Sequence, residues 1–282
     1  MNPIADFLRY GLAKALRKLR AKAGARIQLL RLGPTPDAGI ATAPAVLSRY
    51  GVALAANWQD KTFRYCIYAT YGRDLADYLE AIEKDFVVLD IGSNQGLYAL
   101  IAGRNRHCRQ VLAFEPVERT FRFLSRNIEL NALGSKVTAY QLAVAAQAGP
   151  ATIAVDAGHS GTATLASGRE DSGTGSQPIE TIDAAGLDAL IPADLPIVIK
   201  LDVEGFEPVV LRELAKSAHC GRIMAIFYEV DSRWSDPDTM AASLREAGFS
   251  GFDKYGRGHH YDVLATRDPA WKVQAIARKG DG

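Results

Sequence analysis

The sequence predicts an α/β fold with a doubly wound, mostly parallel sheet. From residue 86 onward, short apolar runs alternate with helical patterns, as is typical of parallel strands joined by crossover helices. The first run, Phe86–Ile91, is apolar almost throughout, which indicates a strand buried on both faces. Three of the predicted strands end in acidic residues, Asp90, Glu115 and Asp202, at the edge where such sheets bind ligands.

The composition is that of a globular protein. The chain has 282 residues, 48% hydrophobic and 23% charged, enough to form a core without disulfides or structural metal. Three cysteines, Cys66, Cys108 and Cys220, lie far apart and fit buried thiols in a reducing compartment. No apolar run approaches the roughly 18 residues of a membrane span. We therefore expect a cytoplasmic protein that is not integral to a membrane.

An N-terminal extension, residues 1–32, differs in charge from the rest of the chain. It carries eight basic residues and one acid, whereas the other 250 residues carry 25 basic and 31 acidic residues. The acidic body argues against a nucleic-acid partner. Apolar residues recur between the basic ones at three- and four-residue steps, which predicts an amphipathic helix. Two roles remain open: packing on the body or a partner subunit, or reversible attachment to the anionic inner face of a membrane.

The remaining patterns divide the chain into segments. We predict an extension, a lead-in, a sheet domain and a tail, at residues 1–32, 33–84, 85–268 and 269–282. A Gly-Pro-Thr-Pro sequence at 33–36 ends the helix of the extension. In the lead-in, Phe63–Tyr68 alternates like a short strand and Leu75–Ile82 has helical spacing.

Within the sheet domain, strand and helix patterns alternate. Apolar runs predict strands at residues 86–91, 111–114, 137–142, 151–155, 197–201 and 223–230. Helical spacing predicts helices at residues 97–102, 121–130, 207–216 and 237–247. Residues 156–178 are rich in Gly, Ser and Thr, which indicates a loop or an irregular hairpin. Residues 249–254 and 261–265 predict a closing antiparallel hairpin.

A glycine turn follows the first strand of the sheet. Gly92 and Gly96 enclose it, and there the backbone approaches a ligand closely while the start of the next helix offers free amides. Glu115 follows the next strand, 25 residues beyond Asp90. A carboxylate at that position accepts two hydrogen bonds from a ribose diol. Together these features predict a nucleoside-type ligand.

The charge beside the turn indicates which nucleoside binds. A dinucleotide site uses Gly-x-Gly-x-x-Gly, with the backbone against a pyrophosphate, whereas the spacing here is Gly-x-x-x-Gly. The carboxylate of Asp90 repels a pyrophosphate and suits a ligand with a cationic end. S-adenosylmethionine carries an ammonium and a sulfonium and no phosphate, so the turn favours it over NAD.

Five motifs, taken together, resemble the FkbM family of S-adenosylmethionine-dependent methyltransferases. They are VLDIGSNQGLY at 88–98, VLAFEP at 111–116, NIELN at 127–131, ETID at 180–183 and IKLDVEG at 199–205. The resemblance covers roughly residues 60–266 and leaves out residues 1–32. It implies a class I methyltransferase fold, S-adenosylmethionine as cofactor, and O-methylation of a sugar or natural-product hydroxyl.

The resemblance also implies roles for residues of the turn. Asp90, Gly92 and Gly96 would line the amino-acid end of the cofactor, and Glu115 would hold the ribose. Asn94 either contacts the cofactor or only supplies the left-handed backbone conformation that Asn tolerates.

Two further positions follow from the resemblance. Ala143 lies where the family passes the adenine, and since no Asp or Asn stands there, we expect backbone groups to bind the exocyclic amine. His159 matches a family loop beside the cofactor, either as a contact or as a turn residue.

The strand that ends in Asp202 carries the first candidate catalytic residues. Lys200 and Asp202 share one face of the strand, and Glu204 lies just beyond it. Methyl transfer to a hydroxyl needs alignment and removal of a proton, which gives Asp202 a role as base or orienting group. Alternatively, Lys200 and Asp202 only pair, and Glu204 caps the following helix.

Other candidate groups lie near the same edge. Glu229, at the end of the 223–230 strand, either binds acceptor hydroxyls, assists as base, or is structural. His259 and His260 precede the last strand, and one of them paired with an acid could act as a base near neutral pH. No metal site is predicted, because the chain has no His-x-x-x-His spacing and no carboxylate-rich loop.

These observations lead to one expected function and two alternatives. We expect an S-adenosylmethionine-dependent O-methyltransferase that acts on a hydroxyl of a sugar, glycolipid or natural product. The first alternative is a module that binds S-adenosylmethionine without catalysis, and the second is an NAD-dependent dehydrogenase. The acceptor's identity and the oligomeric state remain open.

Overall fold

The structure is a computed structural model that describes residues 19–20, 22–155, 160, 175–192, 194–233 and 235–272. Most of the N-terminal extension, His159 with most of the Gly-rich segment, and the tail beyond residue 272 lie outside the described residues. Predictions made for those parts therefore stay predictions.

The described strands and helices alternate along the chain. The strands are β1 (Ala45–Leu47), β2 (Ala53–Ala55), β3 (Phe86–Ile91), β4 (Cys108–Phe114), β5 (Val137–Tyr140), β6 (Ala143–Val144), β7 (Gly149–Val155), β8 (Gly175–Ile182), β9 (Ile197–Leu201), β10 (Ile223–Asp231), β11 (Gly251–Tyr255) and β12 (His260–Thr266). The helices are α1 (described residues 19–20 and 22–32), α2 (Lys61–Tyr68), α3 (Arg73–Ala81), α4 (Leu97–Arg104), α5 (Glu118–Leu130), α6 (Ala184–Asp188), α7 (Glu207–Lys216) and α8 (Pro237–Glu246).

A seven-stranded sheet forms the centre of the fold, in the order β11-β12-β10-β9-β3-β4-β5. The pairs from β10 through β5 are parallel, and β12 runs antiparallel to both of its neighbours. The predicted α/β class, the mostly parallel sheet and the closing antiparallel hairpin are confirmed. The chain order reverses between β3 and β9, and this is where open α/β sheets bind their ligands.

Helices cover the central sheet on both faces. All six residues of β3 are buried, as its apolar run predicts. Phe86 and Val88 pack in one core with α3 and α4, whereas Val87 and Leu89 pack in a second core with α7 and α8. The two-residue period of the strand thus divides its side chains between the two layers.

The segment Phe63–Tyr68, predicted as a short strand, is helical and forms most of α2. The carboxylate of Asp60 caps this helix by accepting a hydrogen bond from the Phe63 N–H. Phe63, Cys66 and Ile67 then share the buried face at helical spacing. The strand prediction is wrong because the alternation of aromatic and polar residues also fits three-and-four spacing, and the cap decides between the two.

A ribbon of β1 and β2 in the lead-in was not predicted from the sequence, and α5 holds it in place. Asn127 accepts a hydrogen bond from the N–H of Ala55 and donates one to the carbonyl of Gln95. Asn131 exchanges two hydrogen bonds with Ala53. Both asparagines belong to the NIELN motif, whose side chains therefore join the lead-in, α5 and the glycine turn.

Helix α6 and strand β6 were not predicted from the sequence either, and other differences are in boundaries. The strand predicted at 111–114 begins at Cys108, and the helix predicted at 121–130 begins at Glu118. Part of the segment predicted as a loop or hairpin is strand β8, which pairs antiparallel with β7 in a small sheet of order β6-β8-β7. Among the described residues, no helix combines the length and apolarity needed to cross a membrane.

Candidate active site

A cavity of about 700 Å³ opens at the carboxyl edge of the central sheet. The turns after β3, β4 and β9 supply one wall, and α2 and the loop after it supply the other. Of the predicted cofactor residues, Gly92, Asn94, Glu115 and Ala143 line the cavity. All four predicted catalytic residues line it too, namely Lys200, Asp202, Glu204 and Glu229. The structure thus brings these eight residues together.

The glycine turn has a backbone that few other residues could adopt. Gly92 has a φ of 76°, and a Cβ there would lie 1.9 Å from the carbonyl oxygen of Asp202. Asn94 has a φ of 51°, in the left-handed region that Asn tolerates. Its side-chain oxygen accepts hydrogen bonds from the Gln95 N–H and the Ser160 hydroxyl, at 2.8 and 3.0 Å. Asn94 therefore shapes the turn as well as facing the cavity.

Glu115 is tied to the glycine turn across the sheet edge. One carboxylate oxygen accepts a hydrogen bond from the N–H of Asn94 at 2.9 Å, and the other accepts one from Val117 at 3.0 Å. Burial raises the pKa of Glu115 to about 7, against the lowering effect of these two bonds. Each oxygen retains a lone pair for a further donor, as a ribose diol requires.

Asp90 and Gly96 lie beneath the cavity and do not line it. The fully buried Asp90 accepts a hydrogen bond from the N–H of Ala99, inside α4, at 3.0 Å. Gly96 precedes α4, and a Cβ there would lie 2.5 Å from a methyl carbon of Leu124. We expected both residues to line the amino-acid end of the cofactor. In the structure they instead allow α4 to pack beneath the turn.

Lys200 joins the strands β3 and β9 under the turn. It is in register with Asp90, its ammonium lies 3.5 Å from Asp90 Oδ1 and 3.7 Å from Asp202 Oδ2, and it donates to the carbonyl of Gly92. Burial lowers the pKa of Lys200, but Asp202 and Asp90 outweigh it and the net shift is upward. The pairing of Lys200 with Asp202 is observed, and the same cation also neutralises Asp90.

The turn before α7 is held by Glu207. Its carboxylate accepts hydrogen bonds from the N–H groups of Val203 and Gly205, both at 2.9 Å. The N-cap of α7 is Phe206, so Glu204 does not occupy the cap position considered as an alternative. Glu204 instead has a left-handed φ of 53° and lines the cavity.

Glu229 is the most perturbed acid of the cavity. Its Oε1 lies 2.5 Å from Nε2 of His260 and 3.4 Å from the hydroxyl of Tyr71. Burial, followed by the nearby charges of Asp202 and Glu204, raises the pKa of Glu229 to about 10. Glu229 therefore holds a proton at neutral pH. Of the two candidate histidines, His260 lines the cavity, whereas His259 bonds to Ser232.

Three carboxylates at this edge are close enough to share a cation. Those of Asp202, Glu207 and Glu229 offer oxygens within 4.8 Å of one another. Both oxygens of Glu207 already accept backbone hydrogen bonds, and Glu229 is bonded to His260. Each of the three carboxylates thus already has a partner, since Asp202 pairs with Lys200.

Sequence reasoning missed a polar network that closes the cavity beside α2. Asp60 accepts hydrogen bonds from the Gln95 amide at 3.1 Å and the Ser160 N–H at 2.9 Å. The side-chain oxygen Oε1 of Gln95 is buried and has no hydrogen-bond partner within the described part of the chain. Asp60 stands next to the segment read as a strand, and no spacing pattern distinguishes it.

A sequence model of a known family matches the chain. The family is described as the methyltransferase FkbM domain, and the match spans residues 90–250, more than half of the chain. No curated protein matches the chain.

Several solved structures are similar to the chain at low identity. The METTL16 MTase domain has a TM-score of 0.45 and 12% identity, over 77% of this chain and 74% of that one. EvdMO1 has a TM-score of 0.41 and 15% identity, over 70% of this chain and 41% of that one. The N-terminal domain of EvdMO1, in the presence of SAH and D-fucose, has a TM-score of 0.41 and 13% identity, over 69% and 82% of the two chains. The chain thus spans less than half the length of EvdMO1.

Proposed function

The chain belongs to the FkbM methyltransferase family, and we propose that it transfers a methyl group from S-adenosylmethionine to a hydroxyl of a sugar, glycolipid or other natural product. The observation that carries the proposal is that Asp202, Glu204 and Glu229 line the same cavity as the glycine turn and Glu115. Cofactor-binding geometry, the proton-accepting groups Asp202 and Glu204, and the hydrogen-bonding acid Glu229 therefore share one space.

The residues of the cavity fit S-adenosylmethionine, which is the cofactor of this methyltransferase. Leu142, Ala143 and Ile153 form an apolar wall suited to the adenine, and Glu115 offers acceptor lone pairs to the ribose diol. The unpartnered oxygen of Gln95 is an acceptor for the ammonium of the amino-acid end. When bound, S-adenosylmethionine supplies an electrophilic methyl group on its sulfonium.

The acids at the edge suit a cationic ligand and not a pyrophosphate. Asp202 and Glu204 line the cavity beside the turn, and Lys200 directs its charge toward Asp90 and Asp202. A dinucleotide would place two phosphates against this turn, where the spacing of glycines also departs from the dinucleotide pattern. The arrangement thus supports S-adenosylmethionine over NAD.

In the proposed mechanism, Asp202 accepts the proton of the acceptor hydroxyl. Its side chain is 28% exposed, the Lys200 ammonium holds it at the cavity wall, and its main chain abuts Gly92. Glu229 is protonated at neutral pH, so it orients the acceptor or His260 by hydrogen bonding instead of serving as the base. Alignment and proton removal are the contributions that methyl transfer to a hydroxyl needs from the protein.

The partners and location belong to the same proposal. We propose that the enzyme is cytoplasmic and acts on a hydroxyl of a small molecule or glycan. Nucleic acid is not the proposed acceptor, because residues 33–282 carry more acids than basic residues. The basic N-terminal extension would hold it at the inner face of a membrane.

Calorimetric titration tests the cofactor site. S-adenosylhomocysteine should bind to the wild type and NAD should not, and Glu115→Ala should weaken the binding of S-adenosylhomocysteine by about tenfold or more, the effect of losing hydrogen bonds to a charged group. Glu118→Ala, the same substitution at an exposed position of α5, is the matched control and should bind normally. Binding of NAD alone would overturn the assignment.

A turnover assay tests the chemistry. Formation of S-adenosylhomocysteine from S-adenosylmethionine is measured over a panel of sugars, glycolipids and polyketide alcohols. Product that depends on the acceptor supports the O-methyltransferase. Tight cofactor binding with no product across the panel would instead support the non-catalytic binding module.

A further inference from the structure

Helix α1 presents an apolar stripe to the solvent. Leu19, Ala23, Ile27 and Leu30 are separated by four, four and three residues, and this spacing places them on one helical face. Leu30 is 80% exposed, Leu19 62% and Ile27 49%. We call these four residues the α1 stripe. Single exposed apolar residues are ordinary, but an aligned set is not.

The α1 stripe is not the face by which α1 packs on the rest of the protein, because the opposite side of the helix makes that contact. Ala25 is buried, and Leu29 packs against the core that contains α3 and α4. A Cβ on Gly24 would lie 2.8 Å from the hydroxyl oxygen of Tyr68, which shows how closely α1 approaches α2. The helix is therefore docked, and its stripe faces outward.

Basic residues flank the α1 stripe on both sides. At 100° per residue, Lys22 and Arg26 fall on one flank, and Arg20 and Arg31 fall on the other. The described residues of this segment, 19–20 and 22–32, include no acid. An apolar stripe between two rows of cations is the pattern of a helix that lies in the interface of an anionic bilayer.

We infer that the α1 stripe and its flanking cations bind the surface of a bilayer that contains anionic lipids. A lipid surface supplies both the apolar interior that the stripe requires and the negative charge that its four flanking cations require. Lys22 also lines the active-site cavity, so the bound helix lies beside its rim. Resting on the proposed function, this arrangement brings the hydroxyl of a glycolipid acceptor close to the cavity.

Sedimentation of the full-length protein with vesicles tests the inference. The vesicles are phosphatidylcholine alone or an equal mixture of phosphatidylcholine and phosphatidylglycerol, each at low and high salt. We expect the partition coefficient to be at least about tenfold higher for the mixture, and to fall with salt as the lipid charge is screened.

Two variants with the same change in composition locate the binding surface. Leu30→Asp should lower partitioning to the mixed vesicles by about tenfold or more, since it removes an apolar side chain that the bilayer would bury and adds a charge of the same sign as the lipid's. Leu47→Asp replaces a leucine that is 72% exposed on β1 and should leave partitioning unchanged. Both positions are exposed, so both variants should fold.

Several outcomes would overturn the inference. The wild type could show no preference for the mixed vesicles, or Leu30→Asp could bind as the wild type does, which would assign binding to residues 1–18. Loss of a dimer in Leu30→Asp, seen by light scattering without vesicles, would identify a second copy as the occupant. Titration with S-adenosylhomocysteine on the same samples separates these failures from a failure of the proposed function, since the variants should keep cofactor affinity.

Discussion

Nε2 of His260 lies 2.5 Å from Oε1 of Glu229, across the antiparallel pair of β10 and β12. The two residues are diagonal neighbours, two residues apart in the strand register, where Glu229 faces Asp262 and His260 faces Asp231. Burial also raises the pKa of Asp262 to about 7. Because acids crowd this end of the hairpin, Glu229 is held as a neutral group that shares a short hydrogen bond with the imidazole.

The raised pKa of Glu229 predicts how stability depends on pH. An unfolded glutamate titrates near 4.5 and the folded Glu229 near 10, so its contribution to stability is complete below about pH 4.5 and is lost as the pH rises toward 10. Glu229→Gln removes this loss. We expect the unfolding free energy of the variant, taken relative to that of the wild type, to rise by at least about 1 kcal/mol from pH 5 to pH 9, because one pKa unit is about 1.4 kcal/mol.

Urea unfolding of both proteins across that range measures the gain, and Glu118→Gln on the surface of α5 is the control. A difference in unfolding free energy that stays constant with pH would contradict the assignment.

The pKa of Glu115 predicts how cofactor affinity depends on pH. Burial places this pKa at about 7, and the ionised carboxylate accepts hydrogen bonds from a diol better than the protonated acid does. Affinity for S-adenosylhomocysteine should therefore fall by roughly threefold to tenfold between pH 8 and pH 6. Glu115→Gln should bind S-adenosylhomocysteine more weakly than the wild type does, and its affinity should not change between the two pH values. Calorimetric titration of both proteins at pH 6 and pH 8 measures this, and a pH dependence that persists in the variant would contradict the assignment.

Substitution of the proposed base predicts a separation of catalysis from binding. Asp202→Asn keeps the shape of the side chain and removes its ability to take a proton. We expect kcat to fall at least about 100-fold, the usual contribution of a general base, with affinity for S-adenosylhomocysteine changed less than about threefold. Asp238→Asn, at an exposed position of α8, should leave kcat unchanged. Equal kcat values in the two variants would rule out Asp202 as the base.

Two glycines with similar φ angles predict different costs of an added methyl group. Gly92 has a φ of 76° and a Cβ there would meet the carbonyl oxygen of Asp202, whereas Gly33 has a φ of 69° and nothing within 4 Å. Gly33→Ala should cost about 1 kcal/mol, the penalty of a left-handed alanine. Gly92→Ala should cost about 3 kcal/mol or more, because the backbone of the turn has to move. Urea midpoints measure both costs. Equal costs would mean that the glycine turn at Gly92 and the turn after β9 at Asp202 do not approach each other closely.

Strands with strong patterns could be predicted from the sequence, and contact-dependent elements could not. Phe86–Ile91 is apolar at every position but one, a pattern typical of a strand between two helical layers. The helix at Lys61–Tyr68 depends on the Asp60 cap and on which face finds the core, so its local pattern predicts a strand instead. The ribbon of β1 and β2 depends on Asn127 and Asn131, which lie more than 70 residues away in the sequence.

The candidate site divides in a similar way. Parallel strands of one sheet end at the same edge, so the sequence alone predicts that Glu115 and Asp202 lie at one edge, and the structure places β3 between their two strands. Whether an acid faces the cavity or lies beneath it depends on the turn that follows. Asp90 is turned under α4 and bonded to Ala99, whereas Asp202 reaches the cavity wall.

By itself, the sequence determined the α/β class, the strand edge that holds the site, the family and, through it, the cofactor, because each depends on periodicity or on residues close together in the chain. Tertiary structure alone decided that Gln95 and Asp60 meet, that Glu229 keeps its proton beside His260, and that the α1 stripe faces outward. The physical reason is that burial, charge proximity and exposure arise between segments distant in the chain, and local patterns carry no information about which distant groups become neighbours.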